Sequence, residues 1–357
     1  MPEKVYFFRV VREDGHARIA AGMEALLLKL DILEKIERKS FVAVKTHFGE
    51  RENTGYIKSQ WLDGIIRRLK ERSSRVFFTD TNTLYVGDRS NAVEHLMLAR
   101  SHGFDLDLLG VPVIMADGLI GRDDDEVLVD YPRVKSAKIA SAFLNSEVLL
   151  CLSHFTGHVI SGFGAALKNL GMGCASRAGK LEQHSDLHPR IDPRICRNCG
   201  TCLDYCPTAA LEQGEDTVII RDDKCIGCGE CLVVCGFGAV KTRWDGDAAR
   251  VQEKIAEYAA AVHGLFGRNA GYINVLLQIS KDCDCMSKNG SLIAPDIGLL
   301  SSADPVALDK ASIDLLIGES GMDVIKSATK VDWGIHLRHA ASLGMGSLDY
   351  VLEEVFI

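Results

Sequence analysis

An α/β fold, with a mostly parallel sheet, helices on both of its faces and an inserted α+β module, is what this 357-residue sequence predicts. Three observations lead there. Short continuous apolar runs alternate with stretches whose apolar residues recur at helical spacing, the pattern of strands buried on both faces by crossover helices. Polar clusters fall repeatedly just past the carboxyl ends of those runs. A cysteine-dense stretch, entered at Pro189 and Pro193 and left at Asp245-Gly246-Asp247, interrupts the rhythm. The chain therefore divides into a first part of the α/β body at 1–187, the inserted module at 188–243, and a second part of the body at 244–357.

In chain order, the apolar runs predict strands at 5–10, 41–48, 75–80, 111–116 and 148–152. Between them, helical periodicity predicts helices at 17–30, 61–71, 92–102 and 134–144. Past the module come a helix at 248–262, a strand at 272–279 and a short apolar strand around Leu292-Ile293. A helix then runs to Ile317, opened by Ser302-Ala303-Asp304-Pro305, with Pro305 in the first turn where its missing N–H costs nothing. A helix at 333–341 and a strand at 350–355 close the chain. The Gly162-Phe163-Gly164-Ala165-Ala166-Leu167 segment is a truncated dinucleotide fingerprint, its third glycine replaced by Leu167. It is expected to start a helix through Lys168-Asn169-Leu170 and to offer backbone N–H groups to an anion.

Inside the module, Cys196, Cys199, Cys202 and Cys206, then Cys225, Cys228, Cys231 and Cys235, make two C-x2-C-x2-C-x3-C runs. Bacterial ferredoxins hold [4Fe–4S] clusters with this spacing. Thiolates three positions apart let one tight turn wrap three corners of a cubane, and the fourth cysteine reaches the other cluster. Cys196, Cys199, Cys202 and Cys235 are thus assigned to one cluster, and Cys225, Cys228, Cys231 and Cys206 to the second. Zinc also takes four thiolates, but zinc ribbons space them as two separated C-x2-C pairs. Pro207 follows the first run, whereas Gly236 follows the second and fixes no φ.

A net charge of −8 argues against nucleic acid or an anionic membrane as partner and agrees with docking to a redox partner protein. Hydrophobic content of 47% suits a soluble chain able to bury a full core. No apolar run reaches the roughly 18 residues of a membrane span, and the first residues carry no signal-peptide pattern. Twelve cysteines in such a chain read as metal ligands and free thiols of a reducing cytoplasm.

The polar clusters at the predicted strand ends are His47 with Glu50, Asp80 with Asn82, Asp117, and His154 with His158. In open α/β sheets ligands bind beyond those ends; each cluster taken alone is equally a turn or a helix cap. Four cysteines lie outside the module. Cys151 sits in an apolar strand as a small hydrophobe, and Cys174 follows a glycine-rich stretch. Cys283 and Cys285 share a polar loop with Asp282 and Asp284, and with the two histidines they make a candidate further site for a soft metal or a small-molecule ligand.

The His154-Phe155-Thr156-Gly157-His158 motif, the segment from Gly162 to Asn169, Asp282-Cys283-Asp284-Cys285 and Asp304-Pro305-Val306-Ala307-Leu308-Asp309 together resemble the domain of unknown function 362 family, with the ferredoxin module as an insert. The resemblance covers nearly the whole chain and implies an iron–sulfur centre protein without implying a reaction. Many family members carry Lys before the glycine of the histidine motif, where Thr156 stands here. The leading expectation is an iron–sulfur electron-transfer protein with two [4Fe–4S] clusters, feeding electrons to a substrate or cofactor in the α/β crevice as a ferredoxin-dependent oxidoreductase would. His154, His158 and Lys168 are the candidate catalytic residues, a histidine to supply a proton and Lys168 to neutralise an anionic group. The alternative is a non-catalytic binding, assembly or redox-sensing protein whose clusters are structural.

Because Gly236 leaves the second run on a less constrained turn, the two clusters are expected to decay unequally in air, as followed by EPR. Identical decay would remove any role for that glycine.

Overall fold

The computed structural model describes all residues except Met1, Arg12, Val86, 185–188, Pro207, 226–230, 232–233, 243–247 and 287–289. Cys228, Pro207 and the expected module exit at 245–247 therefore lie outside the described residues. In chain order the strands are β1 (Glu3–Arg9), β2 (Phe41–Lys45), β3 (Arg75–Asp80), β4 (Val113–Met115), β5 (Asp124–Leu128), β6 (Ser136–Ala140), β7 (Val148–His154) and β8 (Thr156–His158). They continue as β9 (Gly162–Gly164), β10 (Pro189–Ile191), β11 (Leu211–Gln213), β12 (Val218–Ile220), β13 (Val240–Thr242), β14 (Ala270–Leu276), β15 (Gly298–Ser302) and β16 (Tyr350–Glu354).

Eight of these form one sheet in the order β16-β1-β15-β14-β7-β2-β3-β4. The ladders are parallel except at β15, which runs antiparallel to both β1 and β14. Successive side chains of a strand point to opposite faces, and both faces are apolar here. Ala43, Leu149 and Cys151 join one core with the helices Ala166–Gly171, Ala248–Phe266, Pro305–Ser320 and Gly334–Ser342. Val42, Val44, Val148, Leu150 and Leu152 join the other with the helices His16–Leu28 and Asp63–Arg72. This is the mostly parallel, doubly covered sheet expected.

Strand β14, from after the cysteine-rich stretch, pairs with β7 from before it, with Ile273 opposite Leu152. The two flanking parts thus build one sheet. Between them, β10 pairs with β13 and β11 with β12, each antiparallel and separate from the large sheet.

Three expected elements are corrected. The predicted helix at 134–144 is β6, paired with β5, followed by a single turn at Ser141–Leu144. Ala137 and Ile139 alternate with the less buried Ser136 and Lys138, and this period of two decides the segment. The strand near Leu292 is one isolated bridge to Ser280; the strand is β15, whose two leucines are too few to stand out between glycine and serines. Gly162-Phe163-Gly164 forms β9 of a hairpin with β8, and the helix begins at Ala166.

That helix start offers nothing to an anion. The Asp309 carboxylate accepts from the N–H of Ala166 and of Leu167, both at 2.9 Å, and from Asn274 Nδ2 at 2.8 Å. Asp309 is fully buried, and burial pushes its pKa up to about 6 against those three donors. Its carboxylate locks the Lys168 helix to β14. Replacing it (Asp309→Ala) leaves three buried donors unpaired and is expected to lower the unfolding free energy by about 3 kcal/mol. Chemical denaturation of variant and parent measures this; a loss below about 1 kcal/mol would mean that the helix is held otherwise.

Candidate functional site

From β2 the chain steps outward to β3 and β4, whereas β7 and β14 lie on the other side of β2. The order reverses between β2 and β7, and such a switch point leaves a crevice beyond the carboxyl ends of the strands. A cavity of about 260 Å³ opens there, lined by Lys45 at the end of β2 and His47 just past it, Asp80 at the end of β3 and Thr81 just past it, and Ser153 and His154 at the end of β7. Lys168, Cys283 and Cys285 complete its polar wall, and Ile160, Met172 and Leu181 its apolar one. Pro189, the first residue of β10, also borders it, so the cysteine-rich stretch begins at the cavity.

Buried charge concentrates on the strand ends. Lys45, 1% exposed, pairs with Asp80 at 2.9 Å and donates to Asn169 Oδ1 at 2.6 Å. Arg89 pairs with Glu50 at 2.7 Å and lies 3.6 Å from Asp80. Burial works to raise the Asp80 pKa, but the neighbouring cations Lys45 and Arg89 outweigh it and hold it well below the usual carboxylate range. Lys180 donates to Thr81 Oγ1 and to the Ala175 carbonyl, and burial pushes its pKa down to about 8. His47 Nδ1 accepts from the Gly49 N–H at 2.9 Å, and burial and Arg89 keep the ring neutral, so its other nitrogen carries the hydrogen.

The two candidate histidines part company. His154 is spent: Nδ1 bonds Asp284 Oδ2 at 2.7 Å and Nε2 faces the Leu277 carbonyl at 2.6 Å. Both ring nitrogens face acceptors, and this histidine holds the cysteine loop. His158 stands with that loop, its ligand atom and the sulfurs of Cys283 and Cys285 all within 4.8 Å of one another. Lys168 lies with its Nζ 3.2 Å from Cys283 Sγ, which also accepts the Cys285 N–H at 3.3 Å. The Cys285 thiol and Lys168, against burial, push the Cys283 pKa down to about 6, while the neighbouring sulfur and burial push that of Cys285 well up. Lys168 therefore faces a thiolate of its own chain.

Asn82 and Asp117 prove structural, since the Asn82 N–H and Nδ2 donate to the Asp117 carboxylate at 3.0 and 2.8 Å. Cys151 and Cys174 are fully buried among apolar residues. Arg89, Lys180 and Tyr85 were not singled out from sequence. Nothing in a sequence separates a buried lysine or arginine from a solvated one, and only the order of the strands brings these three to one crevice.

Five of the module's described cysteines share one small core. Cys202 and Cys231 are buried in it with Leu211, Val218 and Val240, and Cys196, Cys206 and Cys235 pack against it. Burial, then the neighbouring sulfurs of Cys235, Cys199 and Cys196, push the Cys202 pKa up. The two halves repeat the same local geometry. Cys196 N–H donates to the Asp192 carbonyl and Cys225 N–H to that of Arg221, each at 3.0 Å. Cys206 Sγ accepts from Ala210 N–H at 3.1 Å, as Cys235 Sγ does from Ala239 N–H at 3.3 Å.

Gly157 is where the histidine motif meets the cysteine loop. Its N–H donates to the Ser280 carbonyl at 2.8 Å, and a β-carbon there would stand 2.2 Å from the Lys281 carbonyl oxygen. Gly157→Ala must force the loops apart and is expected to cost about 1–3 kcal/mol. Gly264→Ala, in open space on the Ala248–Phe266 helix, is expected to be neutral or stabilising. Thermal unfolding of both variants tests the contrast, and equal melting temperatures would refute it.

Among known proteins, an uncharacterized ferredoxin of Methanocaldococcus jannaschii is 40% identical over 50 residues, covering 13% of this chain and 30% of its own. Hydrogenase-4 component A of Escherichia coli is 42% identical over 64 residues, covering 15% of this chain and 31% of its own. The chain thus spans less than a third of the length of either relative. A solved Thermotoga maritima protein superposes with a TM-score of 0.44 at 10% identity, covering 86% of this chain and 59% of that one. The family model described as a domain of unknown function (DUF362) matches residues 42–314, and the chain belongs to that family.

Proposed function

We propose that this protein is an iron–sulfur electron-transfer protein whose module serves the cavity in the α/β body. One [4Fe–4S] cluster is assigned to Cys196, Cys199, Cys202 and Cys235, and a second to Cys225, Cys228, Cys231 and Cys206. The observation that carries the reading is the surroundings of Cys202. Its neighbouring sulfurs are Cys196 and Cys199 of its own run and Cys235 of the other, the crossed set that two-cluster ferredoxins use. The donor chemistry fits as well, since backbone N–H groups point at the sulfurs of Cys196, Cys206 and Cys235, and such bonds stabilise thiolate ligands and tune potential. The ferredoxin named among its relatives supports the same reading.

When bound, such clusters supply single electrons. The chain's own residues do the rest. Pro189 borders the cavity, as does His184 on the helix before it, which supports a module that begins beside the crevice. Inside the crevice, the neutral His47 offers a hydrogen-bond donor, Lys180 a cation held near neutrality, and Ile160, Met172 and Leu181 an apolar wall. That lining suits a small anionic or carbonyl-bearing substrate or cofactor.

Protein purified without oxygen is expected to carry about eight irons and as much sulfide per chain. Cys202→Ser should lower the iron content by about half, and reduction should produce an EPR signal that reoxidation removes. Zinc in place of iron, or iron well below that content in the parent, would sink the reading.

A further inference from the structure

We infer that His158, Cys283 and Cys285 hold one soft or borderline divalent cation, of the zinc or cobalt(II) class, with a fourth coordination position open to the cavity. The site is separate from the eight module cysteines and does not depend on them.

The ligand atoms of the three residues lie within 4.8 Å of one another. Metal bonds of about 2.3 Å to sulfur and 2.0–2.1 Å to nitrogen put the ligand atoms of a tetrahedral ion about 3.5–3.8 Å apart, so a small closure of side chains suffices. Two separate elements supply them. His158 ends β8, and the cysteines lie in the turn that the Met286 N–H closes on the Cys283 carbonyl at 2.9 Å. Between the sulfurs, Asp284 is drawn away to His154 at 2.7 Å, which fixes the turn without making Asp284 or His154 a ligand. Three protein ligands and an open position are the arrangement of reactive rather than structural zinc sites.

The surrounding groups suit bound thiolates. Cys283 Sγ already receives the Cys285 N–H at 3.3 Å and Lys168 Nζ at 3.2 Å, the second layer of donors that orients thiolate ligands. Two thiolates cancel the charge of a divalent ion, so Lys168 faces a neutral centre and not a bare dication. Nδ1 of His158 has the Ser161 hydroxyl at 2.9 Å, and that hydroxyl donates its own proton to the Phe163 carbonyl at 2.6 Å. The Ser161 oxygen is thus placed to accept from Nδ1–H once the ring binds a metal through Nε2. Without a metal, the N–H groups of Ser161 and Ile160 donate to Nδ1 at 3.1 and 3.3 Å, so Nε2 carries the hydrogen, and metal binding there moves that hydrogen to Nδ1. Two sulfurs and an imidazole select against magnesium and calcium, which take oxygen ligands.

The test is metal analysis of the full, oxygen-protected protein after incubation with Zn²⁺ and desalting, with iron measured in the same sample. The parent is expected to retain one zinc per chain in addition to its iron, and excess Mg²⁺ is expected not to displace it. The Cys283→Ser/Cys285→Ser variant should lose the zinc and keep the iron. Ser161→Ala, which touches no ligand sulfur, should weaken zinc binding about 10-fold or more, with its melting temperature measured alongside because the hydroxyl also bonds the Phe163 carbonyl. Zinc retained by the double variant, or absent from the parent, overturns the site. Low iron with zinc still dependent on Cys283 and Cys285 would count against the cluster reading alone.

Discussion

The close backbone approach of Gly157 to Ser280 and Lys281 is the constraint on which the site depends. Strands β7 and β14 are parallel neighbours, so the chain leaves both at the same end of the sheet, and the two exiting segments must share that space. The exits are then tied three times: by the Gly157 hydrogen bond, by His154 to Asp284, and by His154 to the Leu277 carbonyl. Only after that do His158, Lys168 and the cysteines face one another. The contact excludes any side chain at 157, which gives the glycine of the histidine motif a steric reason independent of chemistry.

Around this junction the body tolerates an unusual amount of buried charge. Lys45 and Asp80 are 1% and 4% exposed in their side chains, and Arg89 and Glu50 are nearly as buried. Burying a pair brings little net stability, but removing one partner strands the other at a cost of about 3–5 kcal/mol. A core built only for stability would place apolar residues there. Each of these charges is instead tied to an opposite charge or an amide, which leaves the field in the cavity fixed before anything enters it. Preorganised dipoles and charges of this kind need no rearrangement when a charged group binds or reacts.

The alternation of apolar runs and helices was enough to read the doubly covered sheet, because strands buried on both faces announce themselves as unbroken hydrophobic stretches: Val42 to Val44 and Val148 to Leu152 are of this kind. Strand β15 escaped because it contributes two leucines amid glycine and serine, and its serines are buried by hydrogen bonds to backbone carbonyls, which composition does not reveal. At 134–144 the strand covers only Ser136–Ala140, too few residues for their period of two to stand out from the helical spacing of the longer stretch. The site was legible at the level of strand ends. His47, Asp80, His154 and His158 all reach the cavity, yet which histidine is free and which is spent depends on Asp284 and Leu277, more than a hundred residues away in sequence. Arg89 and Lys180 were invisible for the same reason: their burial is a property of the assembled crevice.

The repeat inside the module bears on how the two parts of the molecule relate. Among the described residues its halves share the hydrogen bond before the first cysteine and the N–H that meets the fourth sulfur, both of them short-range. Its outer strands, β10 and β13, pair with each other and, among the described residues, with no strand of the large sheet. The body, for its part, closes β14 directly on β7, so the sheet is continuous across the interruption. Strand pairing among the described residues therefore stays within each part. The module begins at the cavity, where Pro189 enters it within the same wall that carries Lys168, Cys283 and Cys285. An insert placed for stability alone could lie on any surface loop; one placed at the switch point of the sheet puts its chemistry next to the ligand site that such a sheet provides.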